Sequence, residues 1–438
     1  MSDTDKEYVL VTEYFHPDTA STGQLMTDLA VGLQERGLDL TVLTGQPNYH
    51  SGDNDKQPSV STHEGVLVNR IRAPQLRQSS FLRRGFNWVV FTVWMFLKLL
   101  VSRPRRDREV IFVSNPPFLP IAMWLVCKLR GWDYTYIVYD LYPDFTVETG
   151  YFDAGGTVDT VWSTLNEHIF EDATHIVALG PVMRDRIIAN AGAEFDDSKI
   201  KIIHNWEDEE FIEPKAKDDN WFAKDHDLTD TFTLLYSGNI GENHDLETVV
   251  EAAANLDEDD EVTVLIIGQG DKKDAIVELA EQHGLRGSRI KFLPYQPLDD
   301  LPYSLTSGDV SIVTVQEGME GICVSSKLYT AMAAGMPVLV IAQPNDDETQ
   351  IVQACDAGLQ AAQGDAEEVV DAIRTWTDDP NLVKEQGENA RISFESQFTK
   401  DHSIDRYYRL LDDELTVTPD AVAQRSKTDS RARQKVSR

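Results

Sequence analysis

Residues 310–341 read VSIVTVQEGMEGICVSSKLYTAMAAGMPVLVI. The run Val310–Val315 is apolar throughout, the pattern of a strand buried on both faces. A second such run, Pro337–Ile341, follows the stop signal Gly335-Met336-Pro337. Between them Ser325–Ala334 has helical composition, and Ser325 or Ser326 is placed to cap its start. Strand, helix, strand, with neither strand alternating polar and apolar, is the unit of a parallel sheet covered by helices.

The same rhythm extends in both directions. Upstream lie strand runs at Thr231–Ser237, Val262–Gly268 and Arg289–Leu293, with helical stretches at Asp245–Leu256 and Lys272–His283. Asp346–Ala357 is a further helix downstream. The first half repeats the pattern with strands at Tyr8–Phe15, Leu40–Thr44, Val110–Asn115, Tyr134–Asp140, His175–Leu179 and Ile200–His204, and a helix at Leu25–Arg36 closed by Gly37. Two doubly wound parallel sheets in series are expected. The boundaries fall at 1–205 and 206–395, with a helix in 396–413 returning to the first domain and a basic, disordered tail at 414–438.

Lys and Arg number 40 against 74 Asp and Glu, a net charge of −34. Such a chain repels phosphate backbones, which excludes bulk nucleic-acid binding. The widely spread acid resembles a halophile's solvated surface; the alternative is an ordinary acidic protein. A melting temperature that rises with KCl is expected, and greatest stability without salt would refute the high-salt reading. Three scattered cysteines, Cys127, Cys323 and Cys355, suggest reduced thiols and a cytoplasmic chain, and the polar start carries no secretory signal pattern. No HExxH or CxxC spacing is present, so no metal site is expected.

One segment departs from the overall acidity. Phe86–Val101, FNWVVFTVWMFLKLLV, is shorter than the ~20 residues that span a bilayer. Arg83, Arg84, Arg103, Arg105, Arg106 and Arg108 flank it. An interfacial helix with Trp88, Trp94 and Phe96 in the lipid boundary and Arg83 and Arg84 near headgroups fits this pattern; a core helix with solvated ends is the alternative.

In open parallel sheets ligands bind beyond the carboxyl ends of the strands. Three small-residue turns occupy such ends: Pro17–Gly23, Ser237–Gly241 and Gly268-Gln269-Gly270. Gly23, Gly238, Gly268 and Gly270 let backbone approach a phosphate or sugar, although each turn alone could be no more than a turn. Lys327 at the start of the Ser325–Ala334 helix suits a pyrophosphate leaving group, on which negative charge grows. Asp140 closes a first-domain strand and is the candidate active-site carboxylate, with Asp144 as a second; a turn or cap role is the alternative.

Several of these stretches together resemble retaining glycosyltransferase family 4, in the branch that builds surface polysaccharides and lipid-linked glycans. Val324–Val338 is similar to the family's V-P-S-K-x5-A-x-G-x-P-V element. Pro17–Gly23 with Leu29-Ala30 and Arg36-Gly37 resembles its opening loop and helix, and Thr44–Tyr49 its T-G-x-P turn. Val138–Asp144 is similar to its D-L-W/Y-P-D/E segment, His204-Asn205-Trp206 to its boundary element, and Ser237–Gly241 with Leu246-Glu247-Thr248 to its S-G-N-x-G…L-E-T element. The resemblance runs from about Tyr8 to Leu411.

It implies a GT-B fold, two Rossmann-like doubly wound domains facing a cleft, with donor bound in the second and acceptor in the first. It implies a hexosyl- or N-acetylhexosaminyl-type transferase that retains configuration without metal or cofactor, the nucleotide-sugar being a co-substrate. The acceptor would be a lipid-linked or other glycan at the cytoplasmic membrane face. Donor contacts would come from Gly23, Gly238, Asn239, Gly268, Gly270, Glu320, Ser326 and Thr330, and catalysis would fall on Asp140 and Lys327. This chain departs from the family at several points, Ser325 in place of the usual proline among them. Asn239 and His244 stand where Arg and Lys are usual, and Ile322 and Thr330 replace a Glu-x7-Glu pair, leaving Glu317 or Glu320 for the sugar. A nucleotide-sugar epimerase of the same architecture and a non-catalytic nucleotide-sugar-binding partner remain as alternatives.

Overall fold

The apolar runs become the strands of two sheets in the computed structural model, which describes residues 6–18, 20–47, 56–72, 81–104 and 107–412. The turn residues Asn48 and Tyr49, Arg105, Arg106 and the basic tail lie outside the described residues. One unit takes the chain through His204 and resumes at Ser403; the other comprises Asn205–His402.

The first unit holds β1 (Lys6–Thr12), β2 (Leu40–Thr44), β3 (Val60–His63), β4 (Val66–Arg70), β5 (Asp107–Val113), β6 (Asp133–Ile137), β7 (His175–Ala178) and β8 (Ile200–Ile202), in the order β3-β4-β2-β1-β5-β6-β7-β8. All neighbours are parallel except the β3–β4 hairpin. That hairpin was not expected. It turns at Glu64 and Gly65, both with positive φ, as a two-residue hairpin turn requires.

The second unit holds β9 (Phe232–Ser237), β10 (Val262–Ile267), β11 (Ile290–Leu293), β12 (Val310–Thr314), β13 (Val338–Ile341) and β14 (Gly358–Ala361), in the order β11-β10-β9-β12-β13-β14 and entirely parallel. The central strands are buried on both faces: every residue of β10, β12 and β13 is buried. This is why they read as unbroken apolar runs. Helices Ala366–Asp378 and Pro380–Gln397 complete the cover, with Trp376 fully buried and its indole N–H given to Gln386 at 2.7 Å.

The helix Lys400–Leu411 carries the chain back into the first unit. Tyr8 Oη donates to Leu411 O at 2.9 Å, Ser403 Oγ to His204 O at 3.2 Å, and a Cβ at Gly32 would lie 2.6 Å from Ile404 Cδ1. The absence of a side chain at Gly32 thus lets this helix seat against Ser21–Glu35.

In each sheet the strand order reverses once: between β1 and β5 in the first unit, between β9 and β12 in the second. Such reversal points leave a crevice outside the carboxyl ends of the strands, where open α/β sheets bind ligands.

Candidate functional site

At the second-unit reversal point β9 runs into Gly238, whose φ is +141°, and a Cβ there would lie 2.5 Å from Lys327 Cε. β10 runs into Gly268, φ +152°, where a Cβ would meet Gly238 O at 1.9 Å. A Cβ on Gly270 would likewise meet Ile240 O at 2.2 Å. Both turns therefore need glycine, for conformation and for closeness. They lie backbone against backbone, with the Lys327 stem across Gly238.

Lys327 Nζ sits 3.1 Å from His244 Nε2 and 5.3 Å from the Tyr236 ring centre. His244 Nδ1 lies 3.0 Å from Thr314 O. A carbonyl only accepts, so Nδ1 carries the proton and Nε2 offers its lone pair to the ammonium. Burial, then the charge of Lys327, hold the His244 pKa well below the usual imidazole range. His244 is thus a neutral brace for Lys327 and does not supply the second cation that the family's pattern has there. Burial lowers Lys327 itself to about 8, partly offset by the charges of Cys323 and Glu348.

Two more cations border the same turns. Lys273 Nζ donates to Gly268 O at 2.7 Å; Lys272 Nζ donates to His244 O at 2.9 Å and pairs with Glu247 at 2.7 Å. Neither was singled out from the sequence, although adjacent lysines after Gly268-Gln269-Gly270-Asp271 in so acidic a chain were a readable signal.

Other expectations need correction. The helix is Lys327–Ala333, shorter than Ser325–Ala334, and no serine side chain caps it because Ser326 is itself in helical conformation. Its first amides are largely taken: Leu328 N–H goes to Ser325 O, Tyr329 N–H to Ser326 O, and Ser325 N–H to Glu348 Oε1 at 2.6 Å. The anion-binding part of this end is therefore the ammonium more than free amides. Thr330 Oγ1 donates to Glu207 Oε2 at 2.9 Å, so a carboxylate from the boundary segment reaches the place where the chain lacks its own glutamate. Glu320 Oε1 accepts from Gln363 at 3.1 Å and from Gly318 N–H, while Glu317 and Asn239 are exposed. Gly23 stands apart from this group. It is in the first unit, in the first turn of Ser21–Glu35, where a Cβ would lie 3.1 Å from Tyr14 Cβ.

In the first unit Asp140 lies just past β6. Ser114 Oγ accepts the N–H groups of Tyr139 and Asp140, and Asn115 Nδ2 donates to Asp140 Oδ2 at 2.8 Å. Burial pushes Asp140 up to about 6, with the Asn115 bond working against it. Asn115 was read only as a strand end. Asp144 is occupied by Arg186 at 3.1 Å and Asn190 at 2.9 Å, a structural role.

Two glycine turns, with the ammonium groups of Lys327 and Lys273 beside them, put positive charge at the strand ends of the reversal point, the kind of charge a diphosphate would meet. The family described as Glycosyl transferases group 1 matches residues 217–393, and Glycosyl transferase 4-like domain matches 22–206. The chain is a GT-B glycosyltransferase. The transferase is 25% identical over 358 residues to the probable glycosyltransferase WbjE of Pseudomonas aeruginosa, covering 81% of this chain and 86% of that protein. It is 27% identical over 350 residues to the putative colanic acid biosynthesis glycosyl transferase WcaI of Escherichia coli K12, covering 78% and 84%. Its fold matches that of Anabaena Alr3699/HepE in complex with UDP-glucose, with a TM-score of 0.67, 14% identity and coverage of 93% and 100%.

The apolar segment of the transferase is a helix, Phe81–Val101. Phe91, Met95 and Leu99 are buried on one face. Val89, Val93, Leu97 and Val101 are 50, 51, 52 and 75% exposed on the other, with Trp94 beside them. At 100° per residue Arg83 falls on the exposed side and Phe96 on its flank. Trp88 and Arg84 fall on the inner side, and both are half-buried, so they are not membrane contacts.

Proposed function

We propose that the transferase moves a sugar from a UDP-sugar to a lipid-linked or glycan acceptor in polysaccharide or glycoprotein glycan assembly, at the cytoplasmic face of a membrane, with retention at the anomeric carbon. The observation that carries this is Lys327 laid over Gly238 at the reversal point. A diphosphate seated on the two glycine turns meets the ammonium where leaving-group charge develops. The naming of WcaI for colanic acid biosynthesis and of HepE in complex with UDP-glucose supports the substrate classes. Asp140, raised by burial and oriented by Asn115, is assigned the stabilisation of positive charge on the sugar as the bond breaks. The leaving phosphate takes the acceptor's proton, so neither a protein nucleophile nor a metal is invoked.

The test incubates the protein with a panel of UDP-sugars and membrane lipid extract, follows UDP release, and reads the product's anomeric coupling by NMR. Extract-dependent release with an anomer matching the donor is expected. Tight UDP binding without turnover would make the protein a binding partner, and release of a free epimerised sugar would make it an epimerase; either refutes transfer.

A further inference from the structure

We propose that Glu13 is a contact for the acceptor hydroxyl, its Oε2 making the hydrogen bond that orients that hydroxyl beside Asp140. The proposal rests on the transfer reading above, with the acceptor in the first unit.

Glu13 directly follows β1, at the first unit's reversal point. The parallel register pairs Val11 with Phe112 and Phe112 with Tyr136. Carried two residues on, it sets Glu13 next to Ser114, and Ser114 next to Val138. Ser114 Oγ holds the Asp140 amide and Asn115 holds the Asp140 carboxylate. Glu13 and the Asp140 loop are thus two strand spacings apart, roughly 10 Å, with the β5 end between them. On this proposal the hydroxyl lies on that end, between the two carboxyl groups.

The surroundings of Glu13 fix its backbone and leave its carboxyl incomplete. Its carbonyl accepts from Thr44 Oγ1 and Gly45 N, both at 3.1 Å. The residue is 4% exposed, yet among the described residues Oε2 has no hydrogen-bond partner. Buried polar atoms are ordinarily paired. No cation forms an ion pair with it among the described residues. The charged group that bears on it is Asp18, and the side chains that hydrogen-bond to it are Tyr14 and Trp88, the inward-facing residue of the apolar helix. Burial, then the charge of Asp18, push Glu13 up to about 8, with the Tyr14 and Trp88 bonds working against them. At neutral pH Glu13 is therefore mostly a neutral acid with an O–H to give, while Asp140 is mostly a carboxylate that only accepts. A hydroxyl both donates and accepts, so the pair suits it.

The test compares wild type, Glu13→Gln and Asp18→Asn. UDP release at saturating UDP-sugar is followed against increasing membrane lipid extract, with UDP affinity by calorimetry and the melting temperature read on the same samples. Glu13→Gln should lower the extract-dependent rate by about a hundredfold or raise the half-saturating extract more than about tenfold. UDP affinity and melting should stay unchanged. Unchanged extract dependence overturns the proposal and leaves the transfer reading standing. A wild type that binds UDP and shows no extract-dependent release sinks the transfer reading, and Glu13 as an acceptor contact with it. Should the glutamine variant melt early, Asp18→Asn decides: loss of the neighbouring charge moves the limb near pH 8 in the pH dependence of the half-saturating extract to lower pH, a readout taken at saturating UDP-sugar and on the acceptor side, where Lys327 of the second unit has no part. An unmoved limb overturns the proposal.

Discussion

Replacing Lys327 by alanine is expected to lower turnover by about 10²–10³, the size of effect seen when one preorganised group facing developing charge is removed. The side chain has two jobs. Its stem covers Gly238, and its ammonium, braced by His244 at 3.1 Å, faces the region where the diphosphate would sit. The ammonium acts on charge that grows as the sugar leaves, so kcat should fall more than UDP affinity does. His244→Phe keeps a ring but removes the lone pair, and should give a smaller loss of the same kind. The pH dependence has a definite sign. Burial holds Lys327 at about 8, so the ammonium is present below that value and is lost above it. UDP affinity in wild type should weaken as pH rises from 7 to 9, by up to about tenfold, and the dependence should disappear in Lys327→Ala. Calorimetry at the two pH values and steady-state kinetics check both statements. Wild-type kinetics in Lys327→Ala would remove Lys327 from the mechanism.

The order in which features became legible follows from where the physics is local. β10, β12 and β13 are buried on both faces, so each is an apolar run visible in a few residues. β14, Gly358–Ala361, is the edge strand; only Ala361 is buried, and Gly-Leu-Gln-Ala has no apolar run to see. The β3–β4 hairpin escaped for a related reason, its turn being Glu64-Gly65 where Asn-Gly or Asp-Gly would have signalled it. Within the site, the glycines and Lys327 stood out because each lies at a strand end or helix start, which sequence can place. Glu207 at Thr330, Asn115 at Asp140 and Lys273 at Gly268 depend on register between segments 123, 25 and 5 residues apart. The last of these was local enough to have been found. The others follow from strand order, which helical and strand periods do not encode. The same holds for Trp88. Aromatic content suggested a lipid contact, but rotation about the helix axis turns it inward, and only the packed structure fixes that rotation.

Val89, Val93, Trp94 and Leu97 form the outward stripe of Phe81–Val101, and helix Leu119–Arg130, packed against it, adds exposed Leu125 and Leu129. Contiguous apolar surface of this kind is uncommon on a monomeric soluble protein and marks a site of interaction. The length of the helix, 21 residues, would suffice to cross a bilayer. Its buried face argues for lying along the surface: Phe91, Met95 and Leu99 would have to leave the first unit's core for the helix to insert upright. Changing Val89, Val93, Trp94 and Leu97 together to serine removes side chains that would each contribute about 1–2 kcal/mol on entering the interface. Even with half of that lost to incomplete burial, partition onto anionic lipid vesicles should fall by at least about thirtyfold. Because these residues already face water, the melting temperature should hold, unlike the result of substituting Trp88, whose side chain reaches Glu13. Sedimentation with vesicles and a parallel melt separate the outcomes. Undiminished vesicle binding by the fourfold variant would show that this face is not the membrane contact. Loss of binding with the fold intact, and with UDP affinity unchanged, would mean that the first unit meets the membrane through the same helix whose inner face supports Glu13.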